Sequence, residues 1–592
     1  MRAARPRERS IRLSLHTERI GVNSISDQRL PETSHAGALP SSWGTPTWRL
    51  RIGCGLVCAL ALVVGGVGLN DEGYASTGGD MARYLMDGAY IRDVVADGAF
   101  MSPFQLLDYT RHYYARYPAL SLGHHPVLLP IFEAPLFGLL GVSVFAARLV
   151  PLASLVIAAV FLCAIVNRRF GPLAATAAGA LFVSSPMVVA STRAVMAELP
   201  SIALLLACAY YLERFSETGR RRALVACAVT AILALYARPM AVLVTPALAI
   251  AALVTIPFDR LLKRDVLTAV AAVVILSAPA VALPLALSPS NVEGVMSAGK
   301  SQTQSEVLGL LHEALYPQFA WPVMIVAAAG AVWAIVRRDA RSLLLLLWVV
   351  CVAPALLFFH GANGVAPRYT LFWVPAICAL AGSLLAEQRF RGVRLLVGAV
   401  LVVGVAMQIA DKQTIAERME QAGGYEEAAQ FVLAGDPGPT VLFSGDIDTG
   451  FFTFFVRKHD PERRLVVLRS DKILTTSLMG KPSVEERIER PDQIYETLHR
   501  YGTRYVVIED RPSKARVLEW LREELKSPRF IERRRIPIRT TDPRLRGTSL
   551  AIFELRDPTP PAADAMLSLH LPVVGQSVDV ALRDLIDRKY LR

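Results

Sequence analysis

The 592-residue chain is poor in charge: 19% of its residues are Asp, Glu, Lys or Arg, whereas 53% are hydrophobic. Soluble domains carry about 25% charged and about 45–50% apolar residues. The deficit is concentrated in long runs almost without charge, which excludes a soluble cytosolic enzyme, a disordered chain and a small secreted scaffold. Cysteine is scarce too. All seven (Cys54, Cys58, Cys163, Cys208, Cys227, Cys351 and Cys378) lie within apolar runs, and the polar C-terminal third has none. Such a distribution offers neither a disulfide framework nor a Cys-based zinc site. The segments expected outside the membrane also lack any Asn-x-Ser/Thr site, which favours a bacterial source. No repeat of solenoid period is present.

What the chain has instead is apolar length. A spanning helix needs about 20 mostly apolar residues. Eleven stretches are read as spans: 52–69, 144–166, 172–190, 200–213, 223–237, 240–257, 266–287, 319–336, 342–358, 369–386 and 395–410. Basic residues orient them. Five short connections carry fifteen Lys/Arg: Arg168 and Arg169; Arg214, Arg220, Arg221 and Arg222; Arg260, Lys263 and Arg264; Arg337, Arg338 and Arg341; Arg389, Arg391 and Arg394. The four alternate connections hold only Arg193, Arg238, Lys300 and Arg368. Cytoplasmic loops collect Lys and Arg, so the first set is expected inside, together with the nine arginines before residue 52. The net charge of +12 then reads as topology rather than as nucleic-acid binding. The apolar stretch 126–140 does not fit as a span. It has only fifteen residues, contains Pro130, Glu133 and Pro135, and would invert every later loop. It is read as a helix at the outer interface or re-entering part-way, which leaves 70–143 as one large external loop and puts 411–592 outside as well.

The fold class expected is mainly α, in three parts. Residues 1–48, rich in Arg, Ser and Pro, form a disordered basic cytoplasmic tail. Residues 49–410 form a multi-pass transmembrane helical domain of about eleven spans with outer interfacial helices. Residues 411–592 form an extracytoplasmic α/β domain, with strand patterns at 440–443, 465–468, 505–508 and 549–554 and helix patterns at 425–433, 492–501 and 515–525. In the first external loop, Met81, Tyr84, Leu85, Ile91 and Val95 recur at helical spacing with Asp80, Arg83, Asp87 and Arg92 between them. This predicts an amphipathic helix lying flat on the outer leaflet.

Polar chemistry gathers in the outer connections. Asn70-Asp71-Glu72-Gly73-Tyr74 follows the first span, although acids there also simply mark a membrane boundary. Gly123-His124-His125-Pro126 precedes the half-span; adjacent histidines rarely share a metal ion, and the alternative is interfacial polar residues ahead of a buried helix. Arg193 and Glu198 precede the next span, where an acid also suits a helix N-terminus. All five histidines between residues 49 and 410 (His112, His124, His125, His312 and His360) fall in outer loops. Titratable groups concentrated on one side are what an outward-facing site requires.

These stretches resemble a family when taken in order: Asp71-Glu72 with Tyr74, then Gly123-His124-His125-Pro126, then Phe145-Ala146-Ala147-Arg148-Leu149 opening a helix that ends Arg168-Arg169-Phe170-Gly171, then Arg193 through Pro200, and Arg368-Tyr369. The set resembles the polyprenyl-phosphate-sugar-dependent glycosyltransferases of the GT-C superfamily, akin to protein O-mannosyltransferases and lipid A aminoarabinose transferases, over about residues 50–385. The resemblance implies an inverting membrane enzyme of cell envelope glycosylation. It would move a sugar from a polyprenyl-phosphate donor to a lipid, polysaccharide or protein acceptor outside the plasma (inner) membrane, with no nucleic-acid partner. It further implies that Asp71 and Glu198 face one site as the catalytic pair, with Asp71, at the mouth of the first span, as base. Whether the pair holds a divalent cation stays open, and no other cofactor is implied. Glu72, Tyr74, His124, His125, Arg193, Arg238, Arg368 and Tyr369 would line the substrate. Two positions depart from the family: His125-Pro126 stands where Lys-Pro is common, and Glu198 where Asp is common.

The residue types suit that reaction. An acceptor hydroxyl attacking the anomeric carbon loses its proton to a carboxylate within hydrogen-bond reach. The leaving phosphate needs cations where its charge develops, and Arg193, Arg238, Lys300, Arg368 and His124/His125 are the outer-face candidates. Two features are decoys. Gly445-Asp446-Ile447-Asp448-Thr449-Gly450 mimics the metal-binding Asp-x-Asp of nucleotide-sugar enzymes, but it follows a strand, where Asp and Gly build turns. The basic run 533–539 reads as a solvated strand end. A multi-pass transporter or flippase is the rival class, with ionisable groups near the bilayer midplane and repeated halves. Here the spans are nearly free of acids and no halves repeat.

Overall fold

The computed structural model describes residues 48–71, 73–76, 80–121, 125–287, 315, 318–339, 342–360, 367–387, 391–411, 421–445, 450–477, 484–513, 515–571 and 576–588. The basic tail, Glu72, His124, Lys300 and the Asp446/Asp448 pair lie outside the described residues. Residues 48–592 cluster as one compact unit.

The chain enters through α1 (Trp48–Gly66) and reaches a short strand, β1 (Tyr74–Ser76), before α2 (Met81–Ala96), α3 (Pro103–Arg116) and α4 (Leu128–Leu140). The apolar helices follow: α5 (Val144–Phe170), α6 (Pro172–Ser184), α7 (Pro186–Arg193), α8 (Glu198–Thr218), α9 (Arg221–Ala237), α10 (Thr245–Thr255), α11 (Phe258–Leu261) and α12 (Arg264–Leu287). After the next described segment come α13 (Trp321–Val336), α14 (Leu343–His360), a 3-10 segment Pro367–Trp373, α15 (Val374–Glu387) and α16 (Arg391–Ala410). Each of the eleven apolar stretches is therefore helical or carries a helix.

Among the described residues, four helices, α1, α5, most of α12 and α16, are long and apolar enough to cross a membrane alone, and the α6–α7 pair, bent by 54°, makes a fifth. The others are shorter, broken by Pro, or end in charges. The α6–α7 bend falls where Pro186 lacks an N–H and its ring clashes with the preceding turn. Polar neighbours stabilise the break: the Ser185 hydroxyl donates to the Gln318 carbonyl at 2.8 Å, and that of Ser184 to Gln408 Oε1 at 2.8 Å. The far ends of α5 and α8 are joined by Arg168 to Glu217 and by Arg169 Nε to Glu213 at 2.9 Å. The thirteen residues of α4 rise about 20 Å, short of the roughly 30 Å hydrocarbon core.

One expectation is corrected. Helix α2 forms where predicted but does not lie open on a leaflet: Met81, Tyr84, Leu85, Met86, Asp87, Tyr90, Asp93 and Val94 are all buried. It packs on α4 and on the polar C-terminal part of the chain. There, β2 (Gln421–Gly423), α17 (Tyr425–Ala434), β3 (Thr440–Ser444), α18 (Gly450–His459) and β4 (Val466–Arg469) lead to a small hairpin of β5 (Thr475–Ser477) and β6 (Val484–Glu486). Next come α19 (Asp492–Arg500), β7 (Thr503–Glu509), α20 (Arg516–Leu525), β8 (Phe530–Pro537), β9 (Arg539–Thr540) and β10 (Ser549–Leu555). A hairpin of β11 (Met566–Leu571) and β12 (Gln576–Ala581) precedes α21 (Leu582–Ile586). The main sheet has the order β4-β3-β7-β10-β8, with β3 parallel to β4 and β7 and the remaining pairs antiparallel. All five residues of β3 are buried, as a central strand covered on both faces demands.

Two features join this sheet domain to the loop after α1. First, β1 pairs antiparallel with β2, Tyr74 opposite Gly423, and β2 with β9, so residues 74–76 complete a three-stranded sheet. Second, Asp93 of α2, with no exposed surface, is gripped by Arg457 of α18 through Nε–Oδ2 at 2.9 Å and Nη2–Oδ1 at 2.7 Å, while the Tyr113 hydroxyl donates at 2.8 Å. Asp97 takes Arg463 at 2.5 Å, and buried Arg116 donates to the carbonyls of Arg463 and Leu585.

Candidate functional site

The start of α2 is a natural place for a charge. Asp80 is its N-cap, a position where a carboxylate ordinarily accepts from the helix's own first N–H groups. Its side chain makes no such bond. Instead Oδ2 stands 3.1 Å from Arg368 Nη2 and Oδ1 3.6 Å from His125 Nε2. Burial alone would raise the Asp80 pKa, but His125, Arg368, Arg238 and Arg83 together outweigh it and hold the carboxyl below its ordinary range.

One turn on, Tyr84 lies edge-on to the His125 ring at 5.1 Å and accepts from Arg238 Nη1 at 3.2 Å. Arg238, where α9 ends, also approaches Glu198 at the start of α8, Nη2 to Oε1 at 3.4 Å. Glu198 is wholly buried, and neither of its oxygens accepts a hydrogen bond among the described residues. Five separate segments thus bring two carboxylates, two guanidiniums, an imidazole and a phenol into one cluster. Four of the six, His125, Glu198, Arg238 and Arg368, were expected from sequence.

Asp71 belongs to an adjoining arrangement. It is exposed after α1, and buried Arg148 in the first turns of α5 fixes its loop. That guanidinium donates to the carbonyls of Gly68, Leu69 and Asp71 at 3.1, 3.2 and 2.9 Å, and through Nε to that of Arg193 at 2.9 Å. Gly68, at φ +79°, lets the carboxylate and the Arg193 side chain close in: a Cβ there would lie 3.0 Å from Asp71 Oδ2 and 3.2 Å from Arg193 Nε. The Nε and one Nη of Arg193 are buried without a hydrogen-bond partner among the described residues. Between Arg193 and Glu198, buried Val195 is held at φ +45°, a conformation that costs a β-branched residue about 1–3 kcal/mol and clusters at functional sites.

The expected residues therefore fall into two neighbouring sets, Asp71 with Arg193 and Glu198 with Arg238, linked by the short turn 194–197. Tyr74 pairs through its backbone in β1, and Tyr369 lies in the 3-10 segment. Asp80, Tyr84 and Arg148 were not singled out for a role. The signals in sequence were an acid at a helix start with a tyrosine four residues on, and an arginine in an otherwise apolar helix opening. Among the described residues no three His, Cys, Asp or Glu side chains converge as metal ligands. Asp71 and Glu198 are each set against an arginine instead.

Comparison with known proteins bears on this arrangement. The family of dolichyl-phosphate-mannose-protein mannosyltransferases matches residues 124–283, from the histidine pair through α12. Among solved structures, ArnT from Cupriavidus metallidurans bound to undecaprenyl phosphate is similar with a TM-score of 0.54 at 16% identity, covering 84% of this chain and 97% of that one. Its apo form gives 0.52 at 15% identity over the same shares. An oligosaccharyltransferase from Archaeoglobus fulgidus, tethered to an acceptor peptide, gives 0.47 at 12% identity over 79% and 70%, a likeness too slight to build on. At these identities the likeness is one of fold. No curated protein sequence matches the chain significantly.

Proposed function

We propose, from the premise that the chain is a multi-pass membrane protein of the GT-C glycosyltransferase superfamily, that it transfers one sugar from a polyprenyl-phosphate donor to an acceptor hydroxyl outside the plasma membrane. The observation that carries this reading is the convergence of Asp80, His125, Arg238, Glu198 and Arg368 beside the Asp71 loop. That cluster lies at the opening end of α5. Arg168 lies 24 residues from Val144 along the same helix, about 36 Å at 1.5 Å per residue. Basic loops mark the cytoplasmic side, so the site faces outward.

Asp71, exposed at the mouth of α1, takes the proton of the attacking hydroxyl. As that oxygen bonds to the anomeric carbon, the bond from the same carbon to the phosphate oxygen breaks on the opposite face, which inverts the centre. The phosphate leaves with its electron pair and added charge. Arg193, two of whose donors have no hydrogen-bond partner among the described residues, together with Arg368 and Arg238 of the neighbouring set, would meet that charge. Asp80 and Glu198 hold Arg368 and Arg238 in position, and the burial of Arg238, with the partial burial of Arg368, puts them in a medium where charge counts for more than in water. The sheet domain packed over the loop serves as an acceptor-recognition or packing module.

The test is turnover of a polyprenyl-phosphate sugar by purified protein in detergent, without a gradient, which a transporter would not give. Asp71→Asn retains size and loses proton-accepting power, so turnover should fall by ~10²–10⁴ while donor binding survives. Asp446→Asn with Asp448→Asn serves as control and should leave activity within a few-fold. Near-normal turnover in Asp71→Asn would remove the active site from this loop.

A further inference from the structure

Away from the outer site, a groove of about 740 Å³ runs between α6, α15 and α16, bounded by residues such as Leu173, Leu385 and Val402. Its walls are apolar except for Thr176, whose hydroxyl is spent on the Pro172 carbonyl, and for Arg391 and Arg394 at one end. Those two arginines are exposed, stand three residues apart on one face of α16, and make no ion pair or hydrogen bond among the described residues. Along α16 the lining runs from Arg391 to Val405, fourteen steps or about 21 Å, against roughly 15 Å for the hydrocarbon of one leaflet. Gly398 lies midway, and a Cβ added there would find its nearest atom 3.9 Å away, on Leu385. The groove is thus open at its waist, long enough for one acyl chain, and topped by two cations.

We infer that this groove is a binding site for an anionic glycerophospholipid of the leaflet on the Arg391/Arg394 side, with its phosphate on the two arginines and one acyl chain along α16. Charge decides the occupant. Lysine and arginine at the membrane surface attract anionic lipid, whereas an annular lipid against an apolar wall gains nothing from its headgroup. The site lies at the end of the membrane domain opposite the transfer centre, so it is additional to the donor pocket.

The experiment uses full-length protein in nanodiscs of equimolar palmitoyl-oleoyl phosphatidylglycerol and phosphatidylcholine, extracted gently for native mass spectrometry. Wild type should retain phosphatidylglycerol over phosphatidylcholine by about 10-fold. Arg391→Ala with Arg394→Ala should bring that ratio to within about 2-fold of unity, and Gly398→Phe should lower retention of both lipids alike. Equal retention by wild type, or an unchanged ratio in the double variant, would overturn the inference. So would displacement of the retained phosphatidylglycerol by a stoichiometric amount of polyprenyl monophosphate, which would make the groove a second donor-lipid site.

Discussion

Asp93→Ala tests the strongest claim about how the outer parts hold together. The carboxylate has no exposed surface, and the Arg457 guanidinium facing it is 2% exposed. Removing the acid leaves that guanidinium buried without its counter-charge and takes the acceptor from the Tyr113 hydroxyl. Breaking one side of such a pair costs about 3–5 kcal/mol, whereas replacing both sides with apolar residues of similar volume is often neutral. Asp93→Ala or Asp93→Leu should therefore destabilise the packing of α2 on α18 by about 3–5 kcal/mol, and Arg457→Met by less, because Asp93 keeps Arg92 Nη1 at 2.7 Å and the Tyr113 hydroxyl. Asp93→Leu combined with Arg457→Met should recover at least ~2 kcal/mol of the loss summed over Asp93→Leu and Arg457→Met alone, a coupling that a double-mutant cycle on those two changes reads directly. Urea-dependent proteolysis of the purified protein, scored by release of fragments carrying residues 421–588, gives the midpoints. A midpoint in Asp93→Ala unchanged from wild type, or strictly additive losses in the double variant, would refute the view that this pair clamps the two regions.

Asp87 supplies a pH signature. Burial, opposed by the Ser121 donors and by Arg83, pushes its pKa to about 7. Tyr90 and the buried Glu133, whose oxygens accept no hydrogen bond among the described residues, lie close by. A carboxyl raised in the fold contributes most below its ordinary pKa, and that contribution falls as pH rises from about 4 to about 7, by up to about 4 kcal/mol. The stability difference between wild type and Asp87→Asn, from urea midpoints at pH 4.5 to 8, should shift against wild type over that range and then level off; a flat difference would refute it. Arg368→Ala should weaken binding of a polyprenyl-phosphate sugar about 10–100-fold, the value of a charged hydrogen bond, and an unchanged Kd by competition would remove it from the phosphate site. A cysteine near Gly141 should label from outside and one near Asn167 only from inside; labelling of both from one side would break the topology.

Much of this was legible in sequence because it is written locally. The helices follow from apolar length, and strands such as β3 and β7 from short apolar runs between turn residues. The outer site was legible in part, since His125, Glu198, Arg238 and Arg368 stand out where cations and acids are few. What remained hidden depends on distant pairing. Asp80 and Tyr84 read as the two faces of an amphipathic helix, because nothing near them announces Arg368 or Arg238. The polar face of α2 looked made for water, but Asp87 meets Ser121 and Asp93 meets Arg457. Strand β1 is three residues long, and only its partners, more than 340 positions away, make it a strand. Of the basic run 533–539, expected as a solvated strand end, Arg533, Arg534 and Arg535 are exposed but lie mid-strand in β8, at the edge of the main sheet.

Because Tyr74 is hydrogen-bonded into that sheet and α1 ends at Gly66, the Asp71 segment is anchored at both ends within a few residues. The outer domain is consequently not a detachable cassette. Exchanging it for the equivalent region of another enzyme would need residues 74–76 to travel with it, or a replacement for β2 that presents the same edge. The same anchoring makes the loop a strain gauge: any tilt of the sheet domain against the apolar helices reaches the Asp71 carboxylate across three residues rather than being lost in slack chain.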